Sequence, residues 1–233
     1  MLIAWIAPSM KRRPIAELLD TDSGTPEEIA ASLSDLKRIN SWFGGVSTTQ
    51  ALVLRVVQQS GLRRLSLLEV ASGAGYVPRR VRGNLEKRGI ELDVTLLDRR
   101  SSHLDHFPRS IAGDVLSLPF RNQSFDLVSS TLFIHHLRPD QLVQSVREAL
   151  RVCRRAVLIN DLQRSRLHLW MVYAGLPLFR SRITWHDAPA SVIQAYTPAE
   201  MQDMLKEVPG ARLEISGHYL YRMGVILWKD SGR

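Results

Sequence analysis

A single cysteine, Cys153, occurs in the 233 residues. It cannot support an internal disulfide framework, and its isolation favours a reducing, cytoplasmic setting. No apolar run reaches the roughly 20 residues needed to span a bilayer. The apolar stretch Met1 to Met10 is followed, not preceded, by Lys11, Arg12 and Arg13. That order is the reverse of a secretory signal, so the stretch is read as a tail packing on the domain or as a misassigned start. Internal repeats and low-complexity segments are also missing, which excludes repeat architectures. Acids are in the minority, 23 against 31 lysines and arginines, for a formal charge of +8. A basic balance suits nucleic acid or an anionic membrane surface. The arginines, however, are spread from Arg12 to Arg233 rather than gathered in one block. An arginine-rich solvated surface is therefore the expectation, and nucleic acid is not expected as a partner.

What is present is an ordinary globular composition, 45% hydrophobic, at a length that suits one well-buried core. Residues 1–233 are read as a single domain, with residues 1–60 as an N-terminal helical extension. Thr25-Pro26-Glu27-Glu28 starts a helix: a hydroxyl to cap, proline in the first turn, acids at the positive dipole end. Ile29, Leu33, Leu36 and Ile39 recur at helical spacing until Trp42-Phe43, and Gly44-Gly45 stops the run. A second helix is expected over Thr48 to Gln59.

From Leu65 onward strands and helices alternate. Strands are expected over Ser66–Val70, Leu92–Leu97, Asp126–Ser130 and Ala156–Ile159, with two closing strands at Arg212–Ser216 and Tyr219–Trp228. Helices are expected over Val77–Arg88, around Leu142, Val146 and Leu150, and over Pro198–Lys206. This rhythm predicts an open α/β sheet with helices on both faces. Residues 162–196 break it, being too long for a strand-to-helix connection and rich in large apolar groups.

The chemistry is carried by a constellation. The first strand runs into Glu69-Val70-Ala71-Ser72-Gly73-Ala74-Gly75-Tyr76, where glycines let the backbone turn and approach a ligand at a helix N-terminus. Asp98 ends the second strand, with Arg99 and Arg100 beside it. A carboxylate there can accept hydrogen bonds from both hydroxyls of a ribose. Asp114, in Gly113-Asp114-Val115, could take an adenine amino group. Each alone has a bland reading as a turn, a cap or an ion-pair partner; the ordered set points to a nucleoside cofactor. A dinucleotide is disfavoured, because the third small position of its glycine fingerprint is Pro78 here.

Residues 65–161 resemble the core of class I S-adenosylmethionine (SAM)-dependent methyltransferases, closest to the small-molecule, ubiquinone-biosynthesis-like branch. LLEVASGAGY resembles the family's first motif, LLDRR its acidic second-strand end, GDVLSLPF its adenine loop, and FDLVSSTLFIHHL its fourth strand and following loop. Ala71 stands where the family has its first glycine. The resemblance implies a Rossmann-like, seven-stranded mixed sheet with an antiparallel final strand. It implies SAM as cofactor, with Glu69, Ala71, Gly73 and Gly75 around the methionyl part. Asp98, with Arg99, would hold the ribose, and Asp114 and Val115 the adenine. Thr131, Leu132 and Phe133 would line the far side.

Family alternatives can be pruned. Ser129-Ser130-Thr131-Leu132 replaces the Asp/Asn-Pro-Pro-aromatic motif of DNA amino-methylation, and Cys153 reads as core rather than as a nucleophile. Ser130 stands where a catechol-type enzyme has a metal-binding acid, leaving only Asn160-Asp161, so no metal is expected. Methyl transfer is an in-line displacement that depends on positioning, and an acidic hydroxyl or carbon also needs a base. His135 and His136, just after the fourth strand, are the candidates, with His186-Asp187 a weaker one. Residues 162–196 are read as a lid over the acceptor, with Trp170, Tyr173, Phe179 and Trp185 offering flat apolar surface. The same segment is short enough to rest on a membrane surface rather than cross it. The expected function is transfer of a methyl group to oxygen or carbon of a small apolar acceptor, aromatic or polyketide/quinone-like. RNA methylation on the basic surface and SAM binding without catalysis are the alternatives.

Overall fold

The computed structural model describes residues 10–21, 23–100, 104 and 107–230. The expectation for the tail before Met10 lies outside them. Among the described residues seven strands form one sheet: β1 (Arg64–Val70), β2 (Glu91–Asp98), β3 (Ser110–Ala112), β4 (Phe125–Thr131), β5 (Cys153–Leu162), β6 (Ala211–His218) and β7 (Arg222–Lys229). Their order is β3-β2-β1-β4-β5-β7-β6. Strands β1 to β5 are parallel, and β7 runs antiparallel to both its neighbours. This is the mixed sheet that the alternation of elements and the resemblance predicted. β3 escaped the sequence reading because three residues, two of them exposed, carry no periodicity.

The helices are α1 (Pro26–Trp42), α2 (Gly45–Ser60), α3 (Tyr76–Glu86), α4 (Pro139–Val152), α5 (Arg166–Gly175), α6 (Arg182–Gln194) and α7 (Pro198–Leu205). Capping boxes start α1 and α7: Thr25 accepts from the Glu28 N–H while Glu28 accepts from that of Thr25, and Thr197 and Glu200 do the same. β1 is buried on both faces, as a central parallel strand must be. Leu65 and Leu67 pack with α2 and α3 (Val53, Val56, Val81), and Leu68 and Val70 with α4 and α7 (Leu142, Val146, Met201). Cys153 is fully buried, and burial pushes its thiol up to about 11.

The chain order reverses between β1 and β4, so a crevice opens beyond their carboxyl ends, the place where ligands bind in open α/β sheets. The segment after β5 is helical, formed by α5, a 3-10 turn at Leu176–Leu178 and α6. It closes one side of that crevice and α1 closes the other. Asp35, buried on α1, accepts the backbone N–H groups of Arg180 and Ser181 at 3.0 Å each, which fixes the start of α6.

Candidate active site

β1 ends in a loop whose backbone is left-handed at Ala71 (φ 49°), Gly73 (φ 49°) and Gly75 (φ 66°). The two glycines have different reasons to be there. A Cβ at Gly75 would overlap the side chain of Leu96 on β2, so this residue is small to let α3 pack on the sheet. A Cβ at Gly73 would meet no heavy atom within 4 Å, and Gly73 faces the crevice. Asp98 ties the loop to β2: its carboxylate accepts from the Gly73 N–H at 2.8 Å and the Arg100 N–H at 3.0 Å.

The crevice holds a cavity of about 380 Å³. Its floor is Glu69, Ala71, Ser72, Gly73, Thr131 and Leu132, the last again at positive φ, 54°. Its apolar wall comes from Leu33, Leu36, Ile39 and Phe43 on one side and Met171, Val172 and Phe179 on the other. The stripe of α1 that reads as core-facing thus lines the cavity. The remaining end is polar, with Glu17, Asp20, His135, His136, His168, Asp187 and Arg222.

Of the residues singled out from sequence, Glu69, Ala71, Gly73, Thr131, Leu132, His135, His136 and Phe179 line this cavity. Asp98, Arg99, Asp114 and Val115 lie at the β2–β3 end of the crevice, outside its lining. One oxygen of Asp114 accepts the Leu116 N–H at 2.8 Å, while Val115 is in the core. Phe133 packs against the core, 6.1 Å from the His136 ring. Trp170, Tyr173 and Trp185 do not line the cavity. Trp170 is 68% exposed, Tyr173 and Trp185 are half exposed, and the Trp185 indole donates to the Phe179 carbonyl. α5 turns Met171, Val172 and Gly175 inward and these aromatics outward.

The polar end is a network of charges. His135 Nδ1 lies 2.6 Å from Asp161 Oδ1, and its Nε2 is 3.5 Å from Glu17 Oε1. Burial pulls the His135 pKa down, but Asp161 and then Glu17 outweigh it and hold the ring at about 10. Both carboxylates favour the charged form of the ring, which works against His135 as a base. His136 is partly exposed, with Nδ1 3.0 Å from Asp20 and Nε2 3.9 Å from Glu17. Glu17, Asp20 and Asp161 each feel burial raising their pKa, and the histidines more than reverse it, so all three fall below the usual carboxylate range. Glu17 also accepts from Ser191 Oγ and Gln194 Nε2. His186 and Asp187 are paired at 2.8 Å, and Asp187 accepts the Leu18 and Leu19 N–H groups, holding the segment that carries Glu17 and Asp20. Glu17, His135 and His136 each bring a ligand atom within 4.8 Å of the others. His135 would have to give up its proton before ligating a metal.

Glu69 is buried at the floor. Burial pushes its carboxyl up to about 7, against hydrogen bonds from Ser129 and Thr131. Glu17, Asp20 and Arg222 went unnoticed in the sequence, because they lie about 50 residues before and 60 residues after the motif-bearing segment 65–161. Only folding makes them neighbours of it.

The loop and cavity fit a SAM-sized ligand: the direction a Gly73 Cβ would take is open, and carboxylates stand at both ends. Comparison with known proteins agrees. Residues 68–159 match the family model described as a methyltransferase domain. No curated protein matches the chain. Among solved structures, the plantazolicin methyltransferase BpumL, in complex with a triazolic desmethylPZN analogue and SAH, superposes with a TM-score of 0.70 at 12% identity, covering 92% of this chain and 95% of its own. A SAM-dependent methyltransferase from Aquifex aeolicus gives 0.51 at 13% identity, over 75% and 88%. The CMeT domain of the citrinin polyketide synthase gives 0.52 at 16%, over 72% and 47%. At such identities the likeness to these structures is one of fold. Residues 68–159 thus match a methyltransferase domain, and the whole chain has the fold of SAM-dependent methyltransferases.

Proposed function

We propose that the protein transfers the methyl group of SAM to oxygen or carbon of a small, largely apolar acceptor, aromatic and of polyketide or quinone type. The observation that carries this reading is a single cavity joining the glycine loop to the Glu17–His136–Asp20 cluster through an apolar wall. SAM, when bound, supplies an electrophilic methyl group on a sulfonium. Glu69, Ala71 and Gly73 are proposed to hold its methionyl part, Asp98 and Arg99 its ribose, and Asp114 and Val115 its adenine, with Thr131, Leu132 and Phe133 on the far side. Gly75 supports the loop by letting α3 pack. The neighbours named for plantazolicin and citrinin polyketide synthesis support a secondary-metabolite acceptor. Placement in the ubiquinone-biosynthesis-like branch remains part of the proposal.

His136 is proposed as the base. Asp20 fixes Nδ1 as the protonated nitrogen, which leaves Nε2 to take the acceptor's proton. The wall from Met171, Val172 and Phe179 is proposed to cover the acceptor. On α1, α5, α6 and the turn between α5 and α6 the side chains of Leu33, Trp42, Trp170, Tyr173, Leu178 and Trp185 are exposed, and they are proposed to make an apolar face. With the exposed Arg166, Arg180 and Arg182 among them, this face is proposed to rest on an anionic membrane surface that supplies a lipophilic acceptor.

The test is methyl transfer from labelled SAM to a panel of alkylated phenols and naphthols. A labelled product is expected, and His136→Gln should lower kcat by about 100- to 10,000-fold while SAH affinity stays unchanged. No product from protein that binds SAM would point to a non-catalytic module. Label in bulk RNA instead would overturn the small-acceptor reading.

A further inference from the structure

Arg222 opens β7 and is 1% exposed, the largest of the fully buried side chains. Its Nε donates to the Phe43 carbonyl at 2.9 Å. Neither Nη1 nor Nη2 has a hydrogen-bond partner among the described residues, and the side chain borders the cavity. Burial pushes the guanidinium down to about 10, opposed by the charge of Asp161. That carboxylate is engaged elsewhere: Oδ1 with the His135 ring and the Leu162 N–H, Oδ2 with the His135 N–H. A desolvated cation without a partnered counter-ion is costly unless something anionic completes it. The planar fork of two free Nη groups matches a carboxylate, which can accept one bond from each.

We propose that Arg222 anchors a carboxylate bound in this cavity. β7 lies two strands from β4, roughly 10 Å across the sheet, and the glycine loop is one strand further away. Two sources share this chemistry: an acidic group on the acceptor, and the methionyl carboxylate of SAM. The anchor itself rests on the geometry of Arg222, and only the cofactor arm of its test rests on the methyltransferase assignment.

Arg222→Met keeps the apolar stem and removes the charge. Titration calorimetry would compare SAH with 5′-methylthioadenosine, the same nucleoside thioether without the carboxylate, and 2-hydroxybenzoate with uncharged 2-hydroxybenzamide on the SAH complex. If the carboxylate is the cofactor's, SAH weakens at least about tenfold and methylthioadenosine does not. If it is the acceptor's, SAH is unchanged and 2-hydroxybenzoate weakens by at least about tenfold, with the benzamide unaffected. The thermal midpoint of Arg222→Met should stay level or rise, because an uncompensated charge has gone; a purely structural arginine would lower it. Arg222→Lys, which keeps the charge but not the fork, should weaken the same probe by a smaller factor, and carries the comparison if the Met variant does not fold. The proposal is overturned if neither charged probe loses affinity, or if SAH and methylthioadenosine fall together. Failure of the wild-type protein to bind SAH would count against the cofactor assignment, and the comparison of 2-hydroxybenzoate with 2-hydroxybenzamide would then be made on the free protein to test the anchor by itself.

Discussion

Glu69 holds its proton more tightly in the folded protein, where its pKa is about 7, than in the unfolded chain, where 4.5 is the reference. A raised carboxyl favours folding at acid pH, and that contribution is lost as pH climbs from about 4.5 to 7. The full loss is on the order of 3 kcal/mol. Glu69→Gln keeps the shape and removes the titration. The variant should melt close to the wild type at pH 4, below both values, and higher than the wild type at pH 8. A bound sulfonium or ammonium favours the ionised carboxylate, so wild-type SAM affinity should rise between pH 6 and 8 and that of Glu69→Gln should stay flat. Parallel profiles for the two proteins would refute both statements. The glycines make a second pair of expectations. Gly73→Ala bears a left-handed strain of about 1–2 kcal/mol but meets open space, so it should fold and lose SAM affinity. Gly75→Ala collides with Leu96, so it should lose stability first, with SAM binding following the folded fraction. Thermal melts beside SAH titrations separate the two.

α5 shows why an apolar segment is hard to orient from sequence. LHLWMVYAG is apolar nearly all round, so its period cannot say which face meets a ligand, and the largest aromatics attract the eye. The fold turns Met171 and Val172 to the cavity and Trp170 to solvent. Trp170→Ala should therefore change stability by no more than about 0.5 kcal/mol and leave acceptor KM in soluble assays where it was. Met171→Ala should raise acceptor KM with SAM affinity unchanged. The reverse ranking of KM effects would put the acceptor on the outer face of α5. α1 carries the same lesson: Leu33, Leu36 and Ile39 keep their helical spacing but line a cavity, while the same helix buries Ser32, Asp35 and Asn40.

At the scale of the whole molecule, the exposed aromatics Trp42, Trp170, Tyr173 and Trp185 lie on α1, α5 and α6, with the exposed Arg166, Arg180 and Arg182 close to them in sequence. Among the described residues no helix is long and apolar enough to cross a membrane, so contact there would be peripheral. The expected outcome is co-sedimentation with phosphatidylglycerol vesicles, weaker on neutral phosphatidylcholine and reduced by salt within the range where a surface charge is screened. The double variant Trp170→Ala, Trp185→Ala should bind vesicles more weakly while methylating a water-soluble phenol at the wild-type rate. Equal sedimentation with both vesicle types, unaffected by the double variant, would remove the membrane from the reading. Retention of bulk RNA with steep salt dependence would assign the basic surface to nucleic acid instead.

The sequence by itself determined the alternation of strands and helices, the helix start at Thr25-Pro26, the glycine loop and the carboxylate of Asp98. Each of these is local: a period, a cap or a turn needs only residues a few positions apart. Tertiary structure alone decided that Gly73 faces the cavity and Gly75 faces Leu96, which way α5 turns, and that Asp161 and Glu17 push His135 toward its charged form. It also gathered Glu17, Asp20, Asp161 and Arg222 at one end of one cavity. Those properties depend on burial and on pairs such as Glu17 with His135, 118 positions apart. Burial and charge coupling exist only once the N-terminal segment, β5, α6 and β7 close around the same space, so no local pattern records them.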